Sequence, residues 1–252
     1  MEKWAVITGA SSGIGREFAR FYASRGYNLV IAARREDKLV ELAQSLDVRV
    51  RIIVANLAEK GFCVILHESV EDLNVELLIN CAGFGEAGSF DKADPDRLAD
   101  MTSLNCTSLM YLTNLFLKDF KAKDKGTILN VASSAGLMPG GPNMAVYYAT
   151  KAYVVSLTNA IHEELRAAHS SVRIAALCPG PVDTEFNDVA GVNFAIKQIT
   201  PQYCVKAAAL GLDKGERIII PEEHMKVLSI ISRIAPQSIV LAITGHIQKK
   251  KL

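Results

Sequence analysis

Two adjacent tyrosines precede a lysine in the segment YYATK at residues 147–151. On a helix, Tyr147 lies four residues before Lys151 and Tyr148 lies three before it, so either phenol would share a helix face with the lysine. A phenol has a pKa of about 10, and a nearby ammonium group favours its ionised form. Such a pair can exchange a proton with a substrate oxygen, as the interconversion of an alcohol and a carbonyl requires. Helical spacing alone leaves open which tyrosine would act.

A glycine-rich segment near the start of the sequence could bind phosphate. The apolar run WAVIT (4–8) continues into TGASSGIG (8–15), and a helical pattern follows. The glycines would allow a tight turn that brings the unpaired N–H groups of a helix N-terminus towards a pyrophosphate. The spacing is G-x-x-x-G-x-G rather than G-x-G-x-x-G, but its place between a strand and a helix favours a dinucleotide site. The expected cofactor contacts in this turn are Gly9, Ser11, Ser12, Gly13, Ile14 and Gly15.

The charges that follow the second apolar run bear on the choice between NAD and NADP. NAD sites usually carry an acid there, which accepts hydrogen bonds from the ribose 2′-hydroxyl. Here Ala33 and Arg34 take that place, Arg35 comes next, and Arg16 follows the glycine turn. Because a guanidinium attracts a 2′-phosphate, the sequence predicts NADP(H) in preference to NAD, with Arg34 as the contact. A solvated basic helix start is the alternative, above all for Arg35 and Arg16.

Short apolar runs alternate with longer helical patterns along most of the sequence. Continuous Val, Ile and Leu runs between helices are typical of parallel strands that are covered on both faces. The prediction is an α/β fold, a single domain over residues 1–252 with one doubly wound, seven-stranded parallel sheet of the Rossmann type. The predicted strands are 4–8, 28–33, 50–55, 75–80, 126–133, 172–180 and 217–221, and the predicted helices are 14–26, 36–46, 59–73, 94–122 and 144–168. The interval 185–214 interrupts this rhythm and is the candidate substrate lid, with a surface insertion as the alternative.

Composition limits the classes of partner. Half of the 252 residues are hydrophobic, and the formal net charge of +1 gives no overall basic field for nucleic acid. The five cysteines form no C-x-x-C pair and the five histidines show no metal-ligand spacing, so we expect free thiols in a reducing cytosol and no metal site. No signal-peptide pattern and no apolar run of about 18 residues is present, which favours a cytoplasmic protein.

Four segments in this order resemble the short-chain dehydrogenase/reductase superfamily in its single-domain branch: TGASSGIG, NCAG (80–83), YYATK and PGPVDT (179–184). The resemblance covers roughly residues 3–221 and implies an NAD(P)-dependent oxidoreductase that acts on an alcohol–carbonyl pair. The family pattern Tyr-x-x-x-Lys matches Tyr147 and not Tyr148. The implied catalytic tetrad is Asn105, Ser134, Tyr147 and Lys151, with Ser133 as the weaker candidate for the serine.

The resemblance also implies a role for each of these residues. The serine would hold the carbonyl oxygen near the phenol, and the lysine would lower the pKa of the phenol and bind the nicotinamide ribose. The asparagine would anchor a water relay to that lysine. Further implied cofactor contacts are Asn56, Leu57, Asn80, Ala82, Gly83, Tyr147, Lys151, Pro179, Gly180, Val182 and Thr184. Asn56 departs from the family pattern, which usually has an aspartate at this place, although an amide can still accept a bond from the adenine amino group.

Large apolar residues lie in segments that are expected to border the substrate pocket. They are Phe84, Met138, Phe186 and Phe194, and they favour an apolar carbonyl substrate, with core packing as the alternative. A module that binds NADPH for redox sensing without turnover is the alternative function. The resemblance further implies a homo-oligomer.

The segment beyond Pro221 is the least similar to the family. Residues 224–252 are predicted to form two helices separated at Pro236, apolar on one face and followed by Lys249, Lys250 and Lys251. An apolar helix next to basic residues can lie on an anionic membrane surface. It can equally pack against its own domain or against a second subunit, and the sequence leaves these three readings open.

Overall fold

A computed structural model describes residues 2–59, 61–192 and 198–249. In these ranges seven strands form one parallel sheet in the order β3-β2-β1-β4-β5-β6-β7, which confirms the predicted doubly wound sheet. The strands are β1 (Trp4–Thr8), β2 (Asn28–Ala33), β3 (Val50–Val54), β4 (Val75–Asn80), β5 (Thr127–Val131), β6 (Arg173–Leu177) and β7 (Ile218–Ile219). The chain leaves β3 at one edge and returns beside β1, so β1 has β2 on one side and β4 on the other.

Helices alternate with the strands as the apolar patterns predict. They are α1 (Gly13–Ser24), α2 (Glu36–Gln44), α3 (Phe62–Glu68), α4 (Pro95–Thr102), α5 (Leu109–Ala122), α6 (Ala145–Ala167), α7 (Phe186–Ala190), α8 (Pro201–Asp213), α9 (Glu223–Ile234) and α10 (Gln237–Lys249). Two helix starts show why the chain turns there. Asp94 accepts a hydrogen bond from the Asp96 N–H before α4, Thr200 accepts one from the Tyr203 N–H before α8, and a proline follows each cap.

The core lies on both faces of the sheet. On one face Phe18 of α1, Leu39 of α2 and Val205 of α8 pack on strand residues. On the other face Leu66 of α3 and Phe116 of α5 pack on the alternate strand residues. All five residues of β1 are buried, as expected for a strand that is covered on both sides.

Two predicted elements differ in the structure. The helix predicted over 94–122 is divided by a π-helical turn at Ser103–Ser108, which separates α4 from α5. The interval 185–214 is only partly an insertion, because Cys204, Val205 and Ala208 of α8 belong to the main core. The lid prediction is therefore corrected for α8, which packs as an ordinary core helix. For residues 185–199 it stays a prediction.

The C-terminal segment forms the two helices that the sequence predicts. Helix α9 ends at Ile234, Pro236 follows, and α10 begins at Gln237. Two glycines permit close packing between α10 and the loop before α6. An added Cβ at Gly140 of this loop would lie 3.1 Å from a methyl group of Leu241, and one at Gly245 of α10 would lie 3.3 Å from Pro142. Among the described residues, none of the helices is both long and apolar enough to cross a membrane.

Candidate active site

The carboxyl ends of β1 and β4 form the crevice in which parallel α/β sheets bind ligands. Thr8 at the end of β1 fixes this crevice, since its hydroxyl accepts hydrogen bonds from the N–H groups of Cys81 and Ala82, each at 3.0 Å. Gly9 approaches the same turn so closely that an added Cβ would lie 2.9 Å from the Ala82 Cα. The backbone after β1 and the NCAG turn after β4 are therefore held together at the sheet edge.

A cavity of about 620 Å³ opens at this edge. The six predicted residues of the glycine turn all line it: Gly9, Ser11, Ser12, Gly13, Ile14 and Gly15. An added Cβ at Gly15 would lie 2.3 Å from the Gly9 carbonyl oxygen, and one at Gly13 would lie 3.1 Å from Thr184. The first residues of α1, Gly13, Ile14 and Gly15, line the cavity, so the helix N-terminus with its unpaired N–H groups borders it.

The three arginines that sequence reasoning singled out differ in their surroundings. Arg34 is exposed, lines the cavity and has no ion pair among the described residues. Arg35 also lines the cavity, but it pairs with Glu185 at 2.8 Å and donates to the Ser11 hydroxyl at 3.2 Å. Arg16 pairs with Glu41 at 2.6 Å and does not line the cavity. Arg34 is therefore the guanidinium most available to an anion.

The expected adenine-side residues divide into cavity contacts and one core residue. Asn56, Leu57, Ala82 and Gly83 line the cavity. The Asn56 side chain is partly engaged in its own turn, since it donates to Glu59 at 2.8 Å and accepts from the Ala58 N–H at 3.4 Å.

Asn80 is a correction to the predicted set of cofactor contacts. It is buried, does not line the cavity, and donates to Thr113 at 3.1 Å and to Asn130 at 2.9 Å. Its amide therefore joins β4 to β5 and α5.

Tyr147 and Lys151 lie side by side at the deep end of the cavity, one turn apart on α6. Both are buried, and the Lys151 Nζ is 5.8 Å from the centroid of the Tyr147 ring. The ammonium donates to the Val131 carbonyl at 2.9 Å. It also borders Gly83, where an added Cβ would lie 3.6 Å from Nζ. The backbone of β5 and the NCAG turn thus hold the lysine towards the crevice.

Burial, more than the mutual attraction of the pair, controls the proton affinities of these two groups. It raises the pKa of the Tyr147 phenol to about 12, although a hydrogen bond with the Ser133 side chain acts to lower that pKa. Burial lowers the pKa of the Lys151 ammonium to about 8. The expectation of a lowered phenol pKa is wrong for the protein alone, because a dry site penalises the phenolate and the ammonium donates to Val131 instead. Tyr147 consequently holds its proton at neutral pH.

Both candidate serines line the cavity, and the influence of Ser133 on the Tyr147 phenol favours this weaker candidate over the predicted Ser134. Ser133 has an extended backbone and caps the 3₁₀ turn Ser134–Leu137, so that its oxygen accepts from the Ala135 N–H at 3.1 Å. The same side chain acts to lower the pKa of the Tyr147 phenol. Ser134 lines the cavity, and its backbone N–H donates a hydrogen bond to the Pro179 carbonyl at 2.8 Å.

Asn105 is buried in the π-helical turn, near Lys151. Its oxygen accepts from the Phe84 N–H at 3.1 Å, and its amide donates to the Phe84 carbonyl at 2.9 Å and to the Thr150 hydroxyl at 3.1 Å. Because an added Cβ at Gly83 would lie 2.8 Å from this oxygen, Asn105 and Lys151 face the same glycine. The predicted water relay between the two side chains stays a prediction.

The loop PGPVDT borders the cavity opposite the glycine turn, with Pro179, Gly180, Val182 and Thr184 among the lining residues. Sequence reasoning missed the residue that positions this loop. Glu222, buried at the start of α9, accepts from the Gly180 N–H at 3.2 Å. A carboxylate that lies so far along the chain carries no local motif, so only the fold shows the contact.

The part of the cavity beyond Tyr147 is lined mostly by apolar side chains. Phe84, Met138 and Phe186 line it as predicted, while Phe194 lies outside the described residues. Residues of α9 and α10 form the rest of the wall, namely Met225, Leu228, Ile231, Ser232, Ile239, Val240, Ile243, Thr244, Ile247 and Gln248. The second tyrosine of YYATK also has a place here, since the Tyr148 hydroxyl accepts a hydrogen bond from Gln248 of α10. Tyr148 thus contacts the C-terminal helix.

These residues fit a nicotinamide dinucleotide. The glycine cradle and the N-terminus of α1 suit a pyrophosphate, and the cavity continues from there along the NCAG turn to Lys151 and Tyr147. The nicotinamide end of the dinucleotide would lie between the buried phenol of Tyr147 and the PGPVDT loop. The apolar wall of α9 and α10 leaves room for a second, apolar molecule on the far side of Tyr147.

Comparison with known proteins agrees with this geometry. Residues 3–192 match the sequence model of a family described as short chain dehydrogenase. The chain is 35% identical over 184 residues to a very-long-chain 3-oxoacyl-CoA reductase of Kluyveromyces lactis, an alignment that covers 68% of the chain and 53% of that protein. It is 32% identical over 203 residues to the 17-beta-hydroxysteroid dehydrogenase type 3 of Homo sapiens, with 78% of the chain and 64% of that protein covered. The chain thus matches between half and two thirds of the length of these two relatives.

A solved structure resembles the whole fold. A short-chain dehydrogenase from Sphingobium yanoikuyae, determined in complex with NADPH, superposes with a TM-score of 0.83 at 29% sequence identity. The superposition covers 95% of each chain. The likeness therefore extends over nearly the whole chain.

Proposed function

Because the chain belongs to the short-chain dehydrogenase/reductase family, we propose that it is an NADP(H)-dependent oxidoreductase that reduces an apolar ketone to its alcohol. One observation carries the proposal. A protonated, buried phenol, a serine hydroxyl and a lysine ammonium meet at the end of a cavity that begins at the glycine turn. This is a proton donor placed next to a dinucleotide site.

When bound, the dinucleotide would supply the hydride that the carbonyl carbon accepts in the proposed reaction. The π-electron pair of the C=O bond moves to oxygen, and that oxygen takes the proton of the Tyr147 hydroxyl. Ser133 donates a hydrogen bond to the same oxygen and holds it beside the phenol, where the developing negative charge is stabilised. Its own oxygen is oriented by the Ala135 N–H, which leaves the hydroxyl proton free to point into the cavity.

Lys151 has two tasks in this proposal. Its ammonium would bind the nicotinamide ribose. Its positive charge would stabilise the phenolate of Tyr147 that remains after proton transfer. Asn105 fixes the backbone of Phe84 and so supports the wall on which the lysine lies. The phenolate then regains a proton from solvent.

The preference for NADP(H) rests on Arg34. It follows β2 at the place where NAD sites carry an acid, and it is the cavity-lining arginine without an ion pair among the described residues. The substrate class rests on the apolar wall beyond Tyr147. Two relatives carry names that refer to a very long acyl chain and to a steroid, both of which are largely apolar.

Oxidation of NADPH in the presence of purified protein and a panel of ketones tests the proposal. The panel runs from short polar ketones to long-chain and polycyclic ones, with NADH in parallel. We expect turnover that increases with apolar size and is faster with NADPH. Tight NADPH binding without turnover of any ketone would contradict the proposal and would favour a redox-sensing module.

A further inference from the structure

Helix α9 exposes most of its large apolar side chains and buries two serines together with Met225. Ser229 and Ser232 are buried, and the Ser232 hydroxyl donates to the carbonyls of Leu137 and Ser229. On the opposite face, Ile230 and Ile234 are 59% and 81% exposed. A helix that packs on a protein core and faces water has the reverse arrangement. The outer face of α9 is therefore built for surroundings other than water.

Helix α10 extends the same surface. Ile239, Ile243 and Ile247 recur at intervals of four residues and are exposed. Together with α9 they form a surface that we name the C-terminal apolar face, made of Val227, Leu228, Ile230, Ile231, Ile234, Ile239, Ile243 and Ile247. Exposed apolar residues are common singly, but a contiguous group of this kind marks an interaction surface.

The charged residues of α9 and α10 are basic except for Glu223 at the start of α9. Residues 224–252 contain no Asp or Glu, whereas Lys226, Arg233 and three consecutive lysines from Lys249 are basic. Lys226 pairs with Glu223, but Arg233 has no ion pair among the described residues. In a two-fold contact between copies, the same patch meets itself and these positive charges would oppose each other. An anionic lipid surface has the complementary charge.

The face also borders the entrance of the catalytic cavity. Leu228, Ile231, Ile239, Ile243 and Ile247 are exposed and at the same time line the cavity that contains Tyr147. An apolar molecule that crosses the C-terminal apolar face would therefore reach the phenol along a continuous apolar wall.

We propose that the C-terminal apolar face docks on an anionic lipid bilayer and that the substrate cavity opens into the docked surface. The helices lie in the membrane interface and do not span it, since 12 and 13 residues at about 1.5 Å per residue fall well short of the ~30 Å hydrocarbon core. Entry of a lipid-like ketone from the bilayer rests on the proposed function. Docking itself does not.

Vesicle co-sedimentation of the full chain, without cofactor, tests the docking. The probes are vesicles of phosphatidylcholine alone and of phosphatidylcholine with phosphatidylserine, at low and high salt. We expect binding to the anionic vesicles that weakens in high salt and weakens about tenfold or more in the double variant Ile230→Asn/Ile234→Asn. The matched control is Val64→Asn/Ile65→Asn on α3, where Ile65 is 54% exposed, and it should bind like the wild type.

Three results would overturn docking. They are absence of wild-type binding to anionic vesicles, equal binding by the α9 variant, and conversion of a wild-type oligomer to monomers by the α9 substitutions without vesicle binding in either protein. The last result would make the face a subunit interface. Light scattering coupled to gel filtration gives that readout.

Turnover separates docking from the proposed function. Ile230 and Ile234 do not line the cavity, so the α9 variant should reduce a water-soluble ketone at the wild-type rate. It should lose about tenfold in rate on a long-chain ketone that is presented in anionic vesicles. Equal loss on both ketones would contradict entry from the bilayer. Vesicle binding without turnover of any ketone would support docking and refute the proposed function instead.

Discussion

At the residue scale, the proposed chemistry depends on groups whose proton affinities are shifted by burial. The phenol of Tyr147 has its pKa raised to about 12 and the ammonium of Lys151 has its pKa lowered to about 8. A neutral phenol is the form that can donate a proton to a developing alkoxide, which suits reduction. The ammonium is the group of the pair that titrates near physiological pH.

This shift predicts a pH dependence of cofactor binding. Because the pKa of Lys151 in the free protein is about 8, the charge that binds the dinucleotide disappears as the pH rises through this value. NADPH affinity, measured by fluorescence titration, should be constant from pH 6.5 to about 7.5 and fall above about 8. In Lys151→Met the affinity should be lower and should not change over this range. A wild-type affinity that is constant to pH 9.5 would contradict the assignment.

The two serines give a matched pair of variants. Ser133→Ala removes the hydroxyl that contacts Tyr147, and kcat/KM for ketone reduction should fall about 100-fold or more. Ser134→Ala leaves that contact intact and should stay within a few-fold of the wild type. A larger loss of kcat/KM in Ser134→Ala than in Ser133→Ala would assign the tetrad serine to Ser134.

Arg34 provides a separate test of cofactor preference. Arg34→Ala should raise the Kd of NADPH about 10- to 100-fold, because a charged hydrogen bond to the 2′-phosphate is lost. The Kd of NADH, which has no such phosphate, should change by less than about threefold. Equal effects on both cofactors would mean that Arg34 does not contact the 2′-phosphate.

Helical spacing alone predicts that a tyrosine of YYATK shares a helix face with Lys151. The choice of Tyr147 and the inclusion of Asn105 came from the resemblance to the family. The choice between the two candidate serines could not be made from the sequence. Ser133 and Ser134 are adjacent and chemically identical, and the turn that makes Ser133 the cap of a 3₁₀ helix decides which hydroxyl faces Tyr147. Glu222 could not be found from the sequence, since its contact with Gly180 joins distant parts of the chain.

At the element scale, apolar periodicity predicts the alternating strands and helices well, since each run is buried on the faces that the pattern indicates. It fails where a helix changes its hydrogen bonding without a change in pattern, as at the π-helical turn Ser103–Ser108. Helix α8 was also missed, although Thr200 followed by Pro201 is a recognisable helix start. The π-helical turn holds Asn105, and α8 closes the core behind the glycine turn.

The corrected role of Asn80 gives a prediction at this scale. Asn80→Ala removes two buried hydrogen bonds that join β4 to β5 and α5, so the free energy of unfolding should fall by about 2 kcal/mol. NADPH affinity of the folded variant should remain within about threefold of the wild type. Urea unfolding and fluorescence titration measure the two quantities. A large loss of affinity without a loss of stability would return Asn80 to the cofactor site.

At the scale of the whole molecule, the sheet, the glycine turn and the C-terminal helices meet around one cavity. The sequence patterns predict the sheet and the two C-terminal helices, because both follow from local periodicity. They do not predict that α9 and α10 form the far wall of the catalytic cavity, which depends on how distant elements pack. That residues 1–252 form one domain, and that the protein is a cytoplasmic oligomer, stay predictions.

The central claim is that Tyr147 donates the proton and that its neighbour Tyr148 does not. The most direct measurement is kcat/KM for ketone reduction by the wild type, Tyr147→Phe and Tyr148→Phe, with the Kd of NADPH determined for each. We expect Tyr147→Phe to lose about 1,000-fold in kcat/KM with its NADPH affinity retained, since a positioned acid contributes about 10²- to 10⁴-fold. Tyr148→Phe, which breaks only the contact with Gln248, should keep its rate within about tenfold. Equal losses in both variants, or full activity in Tyr147→Phe, would contradict the account.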